Sequence, residues 1–179
     1  MTLPNPLIPG FNPDPSVVLA EGAYYLVTST FEYLPGIPVY RSTDLAGWTH
    51  IGNVVTRPGQ PGLGDVPTGG GAWAPTIRYR DSVFYVIVTI AMSPRGCVVF
   101  TATDPAGPWS DGVTIDGVTG IDPDLAWDDD GTAYVTFSGL FTTGERAGQH
   151  AGIQPIRLGQ LANGFGKVAH LARIDHHHW

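Results

Sequence analysis

Two aspartates in this chain stand directly before a proline at the start of a strand-like run. They are Asp14, in Gly10-Phe11-Asn12-Pro13-Asp14-Pro15-Ser16, and Asp122, in Gly120-Ile121-Asp122-Pro123-Asp124. Proline fixes its own φ and narrows the torsions of the residue before it, so both backbones are largely constrained before any packing occurs. Asp14, with a proline on each side, is constrained most. A carboxylate held in this way can aim at a substrate, and these two make the pair on which chemistry would rest. A competing reading makes Asp14 a turn residue whose carboxylate serves local backbone at the head of the strand. For Asp122 the competition is stronger, because Asp124, Asp128, Asp129 and Asp130 crowd the same stretch.

The elements that must position these residues come from an internal repeat. Ala74-Pro75 has the same layout as Asp14-Pro15 and Asp122-Pro123, and the distances from Pro15 to Tyr25, Pro75 to Tyr85 and Pro123 to Tyr134 are 10, 10 and 11 residues. Each copy reads as a strand, a turn and a second strand, and the turn of the third copy falls at Asp128–Gly131. Ser42-Thr43-Asp44-Leu45-Ala46-Gly47-Trp48 recurs as Ala102-Thr103-Asp104-Pro105-Ala106-Gly107-Pro108-Trp109, with Asp44 and Asp104 60 residues apart. A unit of roughly 50 to 60 residues holding about four short strands is the mark of propeller blades. The rival architecture is a sandwich with similar hairpins. Trp48 and Trp109 occupy equivalent places in two copies and are assigned to packing.

Composition supports an all-β chain. The 179 residues include 24 Gly and 16 Pro, and the apolar runs between them are short and rich in Val, Ile, Tyr and Thr, with no sustained helical period. Apolar residues make up 42% and charged residues 14%, enough to form a buried core if the fold closes. The formal charge of −7 without a Lys/Arg cluster argues against nucleic acid or an anionic membrane as partner. Met1-Thr2-Leu3-Pro4-Asn5-Pro6 lacks the basic-then-apolar layout of a leader, and no run has transmembrane length. A cytoplasmic location is expected. The single Cys97, in Gly96-Cys97-Val98-Val99-Phe100, reads as a small buried hydrophobe.

Four motifs in one order carry a resemblance: NPLIPGFNPDPS, YYLVTSTFEYLPGIPVYRSTDLAGW, GGGAWAPTIRY and TGIDPDLAWDDDG. From about Asn5 to Leu140 the chain resembles the N-terminal portion of glycoside hydrolase family 43, nearest its β-xylosidase and α-L-arabinofuranosidase members. The resemblance implies a five-bladed β-propeller, of which about three blades are represented, with an axial pocket that cleaves a glycosidic bond with inversion. It implies that Asp14 is the general base that activates water. It also implies that Asp122 is the carboxylate that orients the general acid and tunes its pKa. Inverting hydrolysis uses one ionised and one protonated carboxyl, roughly 6.5 to 9.5 Å apart. Phe31 and Trp73 match aromatic positions that flank the sugar, whose C–H faces stack on rings, although either ring could instead pack in a core. Glu32 is placed at the pocket border or in an exposed loop. The implied substrate is a xylo-oligosaccharide or an arabinoxylan-derived saccharide, with no cofactor.

The chain departs from the family pattern in one respect. The resemblance implies a general acid on a Glu in a Glu-Gly-Pro-like motif, which occurs nowhere in this sequence. Glu145, in Thr143-Gly144-Glu145-Arg146, is read as a hairpin residue rather than the acid. Residues 1–142 are assigned to the N-terminal part of the propeller and residues 143–179 to an incomplete third blade or an aberrant tail. His176-His177-His178 is read as a surface tract rather than a metal site. The alternative function is a catalytically inactive fragment or a carbohydrate-binding module.

Overall fold

In the first copy burial alternates along the strand Ala23–Val27, at Ala23, Tyr25 and Val27, and each copy reverses at a short polar turn. The computed structural model describes residues 3, 5–57, 60, 62–140, 150–153, 156–158 and 168–171. It contains three antiparallel sheets in chain order. The first is β1 (Ser16–Ala20), β2 (Ala23–Val27), β3 (Gly36–Ser42) and β4 (Thr49–Val55), paired in that order. The second is β5 (Gly71–Arg80), β6 (Val83–Ala91), β7 (Gly96–Ala102) and the short β8 (Val113–Thr114), again sequential. The third begins with β9 (Ile121–Trp127) and β10 (Ala133–Leu140). The far edge of β10 pairs in turn with β11 (His150–Ile153) and β12 (Ile156–Leu158), and β13 (Val168–Leu171) pairs with β12. No α-helix occurs among the described residues, and none of their helical segments is long and apolar enough to cross a membrane. Glu145 and His176–His178 lie outside the described residues.

The middle sheet separates two cores because alternation in its strands sends neighbouring residues to opposite faces. Val86, Val88 and Ile90 of β6, with Val98 and Phe100 of β7, join Val27, Ile37, Val39 and Val55 of the first sheet. Ile87, Cys97 and Val99 turn the other way, against Leu125, Val135 and Phe137 of the third sheet. A sheet buried on both faces needs apolar residues at successive positions, which is why β6 reads as a near-continuous Val/Ile run. Cys97 is 1% exposed, and burial pushes its thiol up to about 12. Trp109 is buried in the first core, with its indole N–H donating to Pro105 O. Trp48 is half-buried and lies over its own turn, donating to Leu45 O, so the packing role assigned to both tryptophans holds in the core for Trp109 alone. Asp44 and Asp104 are equivalent turn residues whose Oδ1 atoms accept the backbone N–H of Ala46 and Ala106.

The first strands β1, β5 and β9 lie side by side, β1 against β5 and β5 against β9. The Xaa-Pro dipeptides therefore gather in one place.

Candidate active site

All three dipeptides occupy the same irregularity. In the second sheet Trp73 pairs with Thr89 and Thr76 with Ile87, so Ala74 and Pro75 together oppose the single residue Val88. In the third, Ile121 pairs with Ser138 and Asp124 with Thr136, so Asp122 and Pro123 oppose Phe137. In the first, the Ser29 amide donates to Pro13 O at 3.0 Å and Ser16 pairs with Val27, leaving Asp14 and Pro15 opposite Thr28. Each is a β-bulge with one extra residue on the first strand. Proline has no N–H to give the ladder, and a bulge leaves a residue unpaired, so the dipeptide and the bulge suit one another.

The bulge also sets the torsions. Asp14, Ala74 and Asp122 have φ of 53°, 43° and 55°, left-handed values that L residues other than glycine seldom adopt. Phe31 shares the feature at 54°. Such strain costs on the order of 1–3 kcal/mol per residue and concentrates where a structure must present a side chain against its preference. The torsions turn Asp14, Ala74 and Asp122 toward a common cavity of about 260 Å³, lined by Asp14, Pro15, Ser16, Ala74, Pro75, Thr76, Arg78 and Asp122. Asp14 and Asp122, from the first and third sheets, thus share one cavity, with Ala74 between them from the second.

The cavity walls are tied across sheets. The Ser29 hydroxyl donates to Asp14 Oδ2 at 2.6 Å and accepts the Ala74 N–H at 2.7 Å. Ser16 Oγ accepts the Ile77 N–H at 3.2 Å. Arg78 Nη2 meets Asp124 Oδ1 at 2.6 Å, joining the second sheet to the third beside Asp122. Asn12, two residues before Asp14, bonds Ile8 O and Pro9 O through Nδ2 and accepts the Tyr40 hydroxyl through Oδ1, which anchors the segment leading into the bulge. Burial holds the Tyr40 phenol above its ordinary pKa.

Phe31 and Trp73 sit together beside the cavity and are not among the residues that line it. Their rings meet edge to face with centroids 6.4 Å apart, and Phe11, 77% exposed, stacks on Phe31 at 5.8 Å. Both Phe31 and Trp73 are half-buried, so neither is enclosed by core. Phe31 exchanges backbone hydrogen bonds with Ala72. That close approach requires Gly71, since a Cβ there would stand 2.2 Å from Phe31 O. The half-buried Glu32 is outside the cavity lining. It accepts the Gly69 N–H, while Gly69 O accepts the Trp73 indole N–H, and this relay fixes the Trp73 ring.

Sequence reasoning missed Ser29, Arg78 and Phe11. Ser29 was findable, because Ser29, Thr89 and Ser138 each follow the repeat tyrosine by four residues. Arg78 and Phe11 carried no repeat signal. Among the described residues no group of three or more His, Cys, Asp or Glu is placed to hold a metal ion.

Successive antiparallel sheets whose first strands lie side by side, with two aspartates on one cavity, define a β-propeller architecture. The family profile described as Glycosyl hydrolases family 43 matches residues 3–163, and the chain belongs to that family. It is 47% identical over 131 residues to the non-reducing end α-L-arabinofuranosidase BoGH43B of Bacteroides ovatus, covering 72% of this chain and 25% of that protein. It is 40% identical over 141 residues to a xylan 1,3-β-xylosidase of a Vibrio species, covering 75% and 26%. Among solved structures, the xylan β-1,4-xylosidase of Bacillus halodurans superposes with a TM-score of 0.82 at 31% identity, covering 97% of this chain and 34% of that one. The chain spans about a quarter of the length of these curated relatives. Its sheets are blades of the five-bladed propeller of the family.

Proposed function

We propose that this chain carries the base side of the active site of an inverting glycoside hydrolase that releases xylose or arabinose from xylan-derived oligosaccharides. Asp14 takes a proton from water while the water oxygen bonds to the anomeric carbon. The bond to the leaving oxygen breaks, and that oxygen takes a proton from a carboxylic acid that this chain does not supply in the family's Glu-Gly-Pro form. Asp122 orients and tunes that acid. The observation that carries the reading is the placement of two aspartates, each strained in an equivalent bulge, on one cavity. Relatives named as an arabinofuranosidase and a xylosidase support the substrate class. The net charge of −7 accords with a neutral sugar ligand.

A dinitrophenyl glycoside tests the reading, because its phenolate departs without protonation and so needs only the base. The 179-residue chain should release dinitrophenolate from the β-xyloside or the α-L-arabinofuranoside, and Asp14→Ala should lower that rate by about 10² to 10⁴. Equal rates for Asp14→Ala and the unaltered chain would remove Asp14 from the mechanism. Sugar binding with no Asp14-dependent release would favour the carbohydrate-binding alternative, in keeping with the missing Glu-Gly-Pro motif.

A further inference from the structure

The rung of the ladder just outside each bulge carries a hydroxyl. Ser29, Thr89 and Ser138 oppose Pro13, Trp73 and Ile121, immediately before Asp14, Ala74 and Asp122. Two of these hydroxyls reach the first strand of the following blade or the residues leading into it. Ser29 accepts from Ala74 N–H, and Thr89 donates to Gly120 O at 3.2 Å. A clasp between blades explains that shared behaviour. It does not explain where the proton of Ser29 goes.

A serine hydroxyl has one proton and accepts through its lone pairs. The Ala74 amide, a donor, occupies the acceptor side of Ser29, so the proton is left for Asp14 Oδ2, and the O···O distance of 2.6 Å is that of a charge-assisted bond to a carboxylate. Ser29 is 2% exposed, so water does not compete for the bond. In the second blade the bulge residue is Ala74, which offers no acceptor, and the Thr89 proton goes to backbone. In the first blade a carboxylate therefore meets a hydroxyl whose direction is already fixed by the next blade.

We infer that Ser29 is a positioning residue for Asp14. It pins Oδ2 and leaves Oδ1 as the oxygen that faces the attacking water, so docking of the second blade sets the aim of the base in the first. This rests on the proposed role of Asp14, but the geometric claim is testable without turnover. The side-chain rotamer of Asp14 reports it directly, through NMR couplings about χ1 in the 179-residue chain. One χ1 rotamer is expected in the unaltered chain, averaging in Ser29→Ala, and a single rotamer again in Ser29→Thr, which keeps the hydroxyl and matches the Thr89 rung. A clasp with no positioning role would alter the Ala74 amide signal in Ser29→Ala and leave Asp14 unchanged, which would overturn the inference. Averaging of Asp14 in the unaltered chain would overturn it whether or not any variant folds. On the dinitrophenyl glycoside, Ser29→Ala should lower kcat by about 10- to 100-fold at near-constant KM, the size expected for a misaimed group, with Ser29→Thr restoring most of it. If the rotamer responds as expected while Asp14→Ala leaves turnover intact, positioning stands and the base assignment alone fails.

Discussion

Arg78 and Asp124 meet at 2.6 Å across the boundary between the second and third blades, two residues along the strand from Asp122. Arg78 also donates to the carbonyl of Ile77, and Asp124 Oδ1 accepts the N–H of Leu125, so each side chain is held by its own strand before it meets the other. The pair joins β9 to β5 on the strand that carries Asp122.

Because the side chains are 32% and 45% exposed, solvent screens the pair. Single substitutions Arg78→Met and Asp124→Asn should each cost about 1 kcal/mol in urea unfolding. A double-mutant cycle should give a coupling of about 0.5–1 kcal/mol. Strict additivity would mean that the pair does not join the blades energetically.

Gly71 should tolerate no side chain. Its φ of +96° and the 2.2 Å approach of a Cβ to Phe31 O mean that Gly71→Ala must displace the Phe31–Ala72 bridge. A loss of about 3 kcal/mol is expected. Gly69→Ala, at φ +83° with nothing within 4 Å of its Cβ, should cost only about 1 kcal/mol. Equal urea midpoints for the two variants would refute the close-approach requirement.

Cys97 provides a pH test with a definite sign. Its pKa is raised from 9.0 to about 12 by desolvation, so between those values the unfolded chain loses the proton before the folded chain does. The contribution is fully present below pH 9 and is lost as pH rises toward 12, at about 1.4 kcal/mol per pH unit. Cys97→Val lacks this slope, so its stability relative to the parent chain should improve as pH climbs through that window. Iodoacetamide at pH 8 should leave the folded thiol unlabelled. Rapid labelling would show that the second core opens.

Phe31 and Trp73 should act as a stacking wall for the sugar. Binding of xylose or arabinose should perturb Trp73 fluorescence, and alanine at either position should weaken binding by roughly 0.5–1.5 kcal/mol, the range for an aromatic contact. Phe11→Ala should weaken it less, since Phe11 is 77% exposed and stacks against Phe31. Unchanged affinity in Phe31→Ala and Trp73→Ala would confine both rings to packing.

The unaltered chain should not hydrolyse xylobiose, whose leaving oxygen needs a proton, even where it releases dinitrophenolate. Turnover of xylobiose abolished by Glu145→Gln would instead make Glu145 the acid.

The sequence alone determined the repeat, the strand-turn-strand units and the special status of Asp14, Ala74 and Asp122, because proline, glycine and alternation act locally and leave their mark within a few residues. The apolar runs of β6 and β7 are visible in the sequence too, but their burial on both faces is decided by the sheets packed on either side. Tertiary structure decided what those units do to one another. That Asp14 and Asp122 open onto one cavity follows from β1, β5 and β9 packing side by side, a relation between residues more than 100 positions apart that no local pattern encodes. The same holds for the Ser29 hydroxyl, whose type is visible in the repeat but whose direction is set by the Ala74 amide of the next blade. It holds too for Trp48 and Trp109, equivalent in the repeat, of which only Trp109 is buried in the core. A hydrogen bond or a core position depends on what arrives from elsewhere in the chain, and only the assembled blades supply it.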